Sequence, residues 1–424
     1  MRKGMERWKA ASIPHRFLAS IIYQLVPLAV LEYGGGAEDL SLSFFLMYIG
    51  LMMGNITWTR ALAPKDRHSA GIALGHLSLI LPSLTILARD VNAALLSSFL
   101  ISFLSPISYF AGLFYAYNEL KDPSKASAGY ESISGWSWFI GLVFGGISLS
   151  LLTIDQLAMA AIFLDIAAFP VLTAVLSIPV RSVLKRAYEE EIGILPIIEE
   201  GLNAISKAEE EALEWTMAMV HRVTRGTLFQ KPAYISIGKP HLHAPFNMKV
   251  FLGFIGLGLA YPQLVGLEKS MGLTNSHIYM LSALSSFISS LFYSRAGRGD
   301  EVRNLDISFI VRGILLLSVP ALTIGLVAPL EYFVVFMVLD GMTWSYILVS
   351  ISRRGLNESL EYLGAINFVR SLGWSIGALV GGFIVELIGL ELLYSISSAI
   401  VLLGALIGVK EARAGRIGGL VPPD

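Results

Sequence analysis

The residues best placed to do chemistry are charged side chains that stand inside long apolar runs. Asp340 is the foremost, in Leu339-Asp340-Gly341-Met342-Thr343-Trp344, and Arg370 follows, in Asn367-Phe368-Val369-Arg370-Ser371. An ionisable group near the centre of a bilayer costs several kcal/mol unless it faces a cavity or a partner. A carboxyl there suits a proton carrier or a seat for a cationic group of a solute, and a structural ion pair competes with both readings. By depth along their runs, Asp340 and Arg370 are expected to form a pair that a proton or a solute breaks. Asp165, Arg312 and His76 also lie inside apolar runs. For these the favoured reading is structural, as pairing within one half of the chain or snorkelling of Arg312 to the surface. Glu32 and Glu268 fall at the ends of runs and read as solvated gate or loop residues.

Polar and aromatic side chains accompany these charges: Tyr23 and Gln24; Ser105, Ser108, Tyr109 and Tyr115; Tyr261 and Gln263; Trp344, Ser345 and Tyr346. Such a set suits a moderately hydrophobic organic solute, held in an apolar pocket by a few polar groups. No Gly-rich phosphate loop, His-Glu-x-x-His zinc helix or Ser-His-Asp arrangement stands out. The pair His241-x-His243 is too thin for a metal site. The absence of cysteine excludes thiolate metal sites, disulfides and cysteine nucleophiles. No catalytic residue, metal or cofactor is expected, and the chain does not read as an enzyme.

The elements that must position these residues follow from composition. The chain has 424 residues, 54% hydrophobic and 15% charged, against about 25% charged in a soluble globular protein. A net charge of -1 supplies no basic field for nucleic acid. A spanning helix needs about 20 mostly apolar residues. Twelve such runs are predicted, at 17–34, 41–59, 70–88, 92–117, 134–153, 156–179, 250–267, 274–293, 305–327, 331–351, 362–388 and 390–409. The first holds Gln24 and Pro27 and is followed by further spans, so it is not a cleavable signal peptide. Pro27, Pro106 and Pro262 interrupt helices and can serve as bends.

Lys and Arg are sorted by side. Arg2, Lys3, Arg7, Lys9, Arg16, Arg60, Lys65, Arg67, Lys121, Lys125, Arg295, Arg298, Arg303, Arg353 and Arg354 share one side, while the opposite loops hold Arg89 and Lys269. The positive-inside rule then puts both termini in the cytoplasm of a multi-pass protein of the cell membrane. The long loop at 181–249 carries an amphipathic stretch (Leu202, Ile205, Ala208, Ala212, Trp215, Met219) and is read as a cytoplasmic connector. It divides the chain into a bundle at 1–180 and a second bundle with a tail at 250–424.

The two parts repeat one another at an ungapped offset of 236 residues: Trp138, Gly141 and Gly145 fall on Trp374, Gly377 and Gly381, and His76 falls on Arg312. Six spans is an even number, so the repeats are parallel, as in transporters with an axis along the membrane normal. Small residues at a spacing of four let helix backbones approach closely. They occur as Gly50 and Gly54, Gly141 and Gly145, Ser282 and Ser286, and Gly373, Gly377 and Gly381. These stripes are expected to form the moving interface between the halves.

On these features the chain resembles the twelve-span major facilitator superfamily over nearly its whole length. The resemblance implies an all-α membrane protein with two six-helix bundles related by a pseudo-twofold axis. It implies that spans two, five, eight and eleven flank the interface and that spans one, four, seven and ten line a central cavity. Of the family's signature between spans two and three, Asp66-Arg67 matches and the glycines are absent. In the exporter-type motif of span five, Leu142 stands where proline is usual. The reading implied is a monomeric secondary transporter that takes a small-molecule solute across the lipid bilayer by alternating access, coupled to protons. Asp340, Arg370, Gln24, Tyr109, Gln263 and Trp344 are its candidate substrate or proton residues. Export of a hydrophobic or cationic compound is favoured over uptake of a polar metabolite such as a sugar, amino acid or organic acid. A non-transporting receptor or lipid-handling protein is the competing class.

Overall fold

Hydrocarbon offers no partner to a backbone N–H or C=O, so apolar runs of this length close their hydrogen bonds within helices. The computed structural model describes residues 7–62, 67–177, 244–323, 325 and 328–407. Among the described residues twelve helices occur and no strand. They are α1 (Arg7–Glu32), α2 (Ala37–Ala61), α3 (His68–Ile86, interrupted at Ser78 and Leu79), α4 (Val91–Leu120), α5 (Pro123–Ser148) and α6 (Ile154–Leu176). The second set is α7 (Ala244–Ser270), α8 (Asn275–Ala296), α9 (Glu301–Thr323), α10 (Pro329–Glu358), α11 (Leu360–Ile388) and α12 (Leu390–Leu406). The end at which α1 begins is termed basal, and the opposite end apical.

Nine of these helices are long and apolar enough to cross a bilayer, and α12 is apolar but shorter. The other two, α5 and α8, carry Ser and Gly along one side, which lowers their apolarity. Several helices outrun the predicted spans. α4 and α10 have 30 residues each, about 45 Å at 1.5 Å per residue, against a hydrocarbon core of about 30 Å. α1 begins at Arg7 and α5 at Pro123, well before the apolar windows at 17 and 134. The reason is local. Asp122 caps α5, accepting from the N–H groups of Ser124 (3.0 Å) and Lys125 (3.1 Å), and Pro123 fits the first turn. Helix signals thus extend α5 beyond the apolar run. The 181–249 connector likewise ends early, because α7 already begins at Ala244. Its amphipathic stretch, His241, His243 and Asp66 lie outside the described residues.

Helix starts in the second set fall within three residues of the 236-residue offset from the first. In the first half α1 packs on α4, α5 and α6, α2 on α4, and α3 on α4 and α6. In the second, α7 packs on α11 and α12, α8 on α10, and α9 on α10 and α12. The halves meet along two seams, α2 with α11 and α5 with α8.

The small-residue stripes correct one expectation. A Cβ added to Gly50 or Gly54 would meet the carbonyl oxygens of Phe99 and Phe103 on α4, in the same half. Gly141 packs on Phe17 of α1, and Gly373, Gly377 and Gly381 pack on Phe251, Ile255 and Leu259 of α7. These glycines therefore bind helices within a half. Gly145, against the Tyr279 ring, Ser286, donating to the Gly135 carbonyl at 3.1 Å, and Ser282 do lie across a seam. A spacing of four specifies a close approach but not the neighbour that makes it.

Candidate functional site

Two polar clusters are built between the helices. The first lies within the second half. The Arg312 guanidinium (α9), 1% exposed, pairs with the Asp340 carboxylate (α10) at 2.8 Å. It also donates to Thr343 Oγ1 at 3.0 Å and to the Asp340 carbonyl at 3.0 Å. Tyr261 (α7) donates its hydroxyl to Asp340 and accepts from Arg312, and Ser285 (α8) donates to the other Asp340 oxygen at 2.7 Å. The guanidinium lies over the Trp344 ring, 4.9 Å from its centroid. A buried ion pair persists when its remaining donors and acceptors are satisfied, and here they are. Gly341 makes this possible, since a Cβ there would collide with the Ser285 backbone.

The expected partnership of Asp340 with Arg370 is therefore replaced by Asp340 with Arg312. The reason is helix length. α10 continues to Glu358, so Asp340 lies about 27 Å from its basal end at 1.5 Å per residue, whereas Arg370 lies only about 15 Å into α11.

The second cluster lies where the halves meet. Glu131 (α5), 4% exposed, accepts from the Tyr109 hydroxyl (α4) at 2.7 Å. Arg16 (α1) stacks over Tyr109 and Tyr130, 4.8 and 5.9 Å from the ring centroids, within electrostatic reach of Glu131. Arg370 enters from α11 of the other half, within electrostatic reach of Tyr109, Glu131, Tyr48 and Tyr23. Tyr109 also contacts Ser352 of α10 at 3.3 Å. Among the described residues Arg16 and Arg370 make no ion pair, and Arg370 makes no hydrogen bond.

Aromatic rings continue this surface along the seam. Tyr48 stacks on Trp374 across the halves at 4.6 Å and 11°. Trp374 meets Tyr261 edge-on at 5.6 Å and Trp344 at 6.3 Å. Tyr23 packs on Trp138, the repeat counterpart of Trp374, at 5.5 Å. Tyr23, Gln24, Tyr48, Tyr109, Tyr261, Trp344 and Arg370 all remain half-buried, although each sits among helices of the interior.

The other predicted residues take seam or loop positions. Gln24 accepts from Ser282 of the other half at 3.4 Å. Gln263 donates to Ser41 at 2.6 Å, joining α7 to α2 near the apical end. Asn55 ties α2 to α11 nearer the basal end, through Ser371 at 3.1 Å and the Asn367 carbonyl at 3.3 Å. Arg67 donates to the Ala61 carbonyl at 3.0 Å and so closes the end of α2. Glu32 is exposed as expected, but Glu268 is 2% exposed with Oε1 unpartnered, which corrects its reading as solvated. His76 and Asp165 pair at 2.9 Å and link α3 to α6. Lys249 and Asp306 form a second pair that the sequence reading did not identify.

Arg16 and Glu131 were also missed, because both fall just outside the apolar windows. A signal was available: Glu131, Ser134 and Trp138 recur at i, i+3 and i+7, as do Arg16, Ser20 and Tyr23 at i, i+4 and i+7, which puts each set on one helix face.

Comparison with known proteins agrees with this architecture. Among solved structures, the human organic anion transporter MFSD10 (TETRAN) superposes with a TM-score of 0.64 at 15% identity, covering 95% of this chain and 99% of that one. A POT family transporter in complex with a thioalcohol-conjugated peptide superposes with a TM-score of 0.59 at 14% identity, covering 96% of each chain. In sequence, 168 residues are 29% identical to Multidrug resistance protein 2 of Bacillus subtilis (strain 168), covering 38% of this chain and 41% of that protein. No known family profile matches the chain.

Proposed function

From the major facilitator fold that these superpositions establish, we propose that the chain is a secondary transporter that moves a small organic solute by alternating access at the seam between its halves. The observation that carries this reading is the convergence of rings and charges from both halves at the seam. Tyr23, Tyr48, Tyr109 and Glu131 come from the first half, and Arg370 and Trp374 from the second. A site shared by two bundles is the part whose access changes when one bundle rocks against the other. Export is favoured by the partial likeness to a multidrug resistance protein.

Proton coupling is assigned to the buried carboxylates Asp340 and Glu131. A second reading, uptake of a polar metabolite, draws on the hydroxyls around Asp340. Those groups satisfy one another, and the half-buried surface along the seam is mostly aromatic, which favours a solute with a substantial apolar body. The test is flux into proteoliposomes under an imposed pH gradient, comparing the parent with Asp340→Asn and Glu131→Gln. Gradient-driven flux of an organic solute supports the reading. Absence of flux for every compound class, with folded protein in the membrane, overturns it.

A further inference from the structure

We propose that Arg370 is the docking point for an anionic group, so that the seam takes an organic anion with an apolar, ring-bearing body. This deepens the transport reading and rests on it for the route of the solute, but not for the binding event itself.

Arg312 is matched by Asp340 at 2.8 Å, and His76, Lys249, Arg353 and Arg354 each face a carboxylate. At the seam the count differs. Two guanidinium groups, Arg16 and Arg370, face one carboxylate, Glu131, and that carboxylate already accepts from Tyr109 at 2.7 Å. One positive charge is left over at the seam.

The surplus belongs to Arg370. Arg16 is covered by the faces of Tyr109 and Tyr130, a setting that favours a cation by itself. Among the described residues Arg370 has no ring face beneath it, no ion pair and no hydrogen bond. A guanidinium is never neutral in a protein and presents five donors in a fixed fork. That fork matches a carboxylate, sulfonate or phosphate group, which can accept two parallel hydrogen bonds from it. The group also keeps solvent-accessible surface while its neighbours are Tyr23, Tyr48, Tyr109 and Glu131 of the opposite half. Its free donors therefore face the space between the halves, where a solute has to pass.

The same surroundings set the rest of the ligand. Tyr48 and Trp374 stack at the seam, and Tyr23 with Trp138 supplies a second ring pair. An anionic head on Arg370 places the body of the molecule against these rings. Glu131 disfavours a dianion by its own negative charge, so the preferred ligand carries one.

The experiment uses the full chain in lipid nanodiscs and three ligands with one ring system: 2-naphthoate, 2-naphthamide and 2-naphthylmethylammonium. Binding is read by isothermal titration calorimetry and flux by proteoliposome uptake. The parent is expected to bind the naphthoate at least about 10-fold more tightly than the amide, the size of one charge-assisted contact. Arg370→Gln is expected to bring the two within about 2-fold, and Arg370→Lys to keep part of the preference, since charge persists but the fork does not. Amide or ammonium binding equal to or tighter than naphthoate in the parent overturns the proposal, as does no naphthoate binding at all. That comparison stands even where a variant fails to fold. Carriage of amide or ammonium without naphthoate would sink the anion site and leave transport intact. Naphthoate binding with no flux of any of the three would do the reverse.

Discussion

The two halves place a buried basic side chain at the same position of the repeat and pair it differently. In the first half it is His76, paired with Asp165 of α6. In the second it is Arg312, paired with Asp340 of α10. The repeat thus kept the basic position while the acid came from another helix. The first pair ties α3 to α6. The second fixes α7, α8, α9 and α10 around a charge that never leaves. A further contrast separates both pairs from the seam. Every partner of Asp340 belongs to its own half, but Glu131 and Tyr109 have neighbours in both.

The sharpest way to break this contrast is to remove one member of the fixed pair. Arg312→Leu is expected to cost about 3–5 kcal/mol, because it leaves the Asp340 carboxylate buried without a cation. Joint replacement as Arg312→Leu with Asp340→Leu should recover most of that loss. Thermal unfolding in detergent measures both, and a single mutant as stable as its parent would refute the paired reading. Coupling is next in size. Glu131→Gln should lower gradient-driven flux by about 10-fold, within the range of about 1–3 kcal/mol common for coupled sites. Asp340→Asn should change it less, since its partners keep their places when the halves rock. Flux against pH in proteoliposomes decides, and equal effects of the two variants would erase the distinction.

Packing supplies the third comparison. Gly377→Ala puts a methyl into the Ile255 carbonyl within one half and should cost about 1–3 kcal/mol of stability. Gly145→Ala presses on the Tyr279 ring across a seam, so a smaller melting shift and a larger change in flux are expected. The smallest effect is at Asp122. The backbone N–H of Lys125 holds its carboxyl below the usual range, so the stabilisation is present above that range and fades as pH falls through the lowered value. Asp122→Ala should cost about 1 kcal/mol, and the deficit should shrink in acid melts.

The architecture was readable because it depends on repeated, redundant signals. Twelve apolar runs and the step from Trp138 to Trp374 survive any single error in a boundary. The charged site was less readable, because it depends on the boundaries themselves. Arg16 and Glu131 lie a few residues outside their apolar windows, yet both belong to helices that run past those windows, α5 with its Asp122 cap and Pro123. Asp340 is legible as important, but its partner Arg312 is not, since depth counted from a window end differs from depth counted from the helix end. The glycine stripes were visible as close approaches, while their neighbours depend on which face of each helix turns inward.

The modest apolarity of α5 and α8 bears on how the chain is assembled during synthesis. Each gains less from lipid than its neighbours, and their hydroxyls and backbone grooves need something to cover them. When α5 emerges, α1 and α4 are already in place on the side it needs. When α8 emerges, α5 offers the opposite wall, with Gly135 and Gly146 carbonyls waiting for Ser286 and Ser276. The order of the segments along the chain therefore doubles as an insertion schedule, in which each weak member arrives after the neighbour that will retain it.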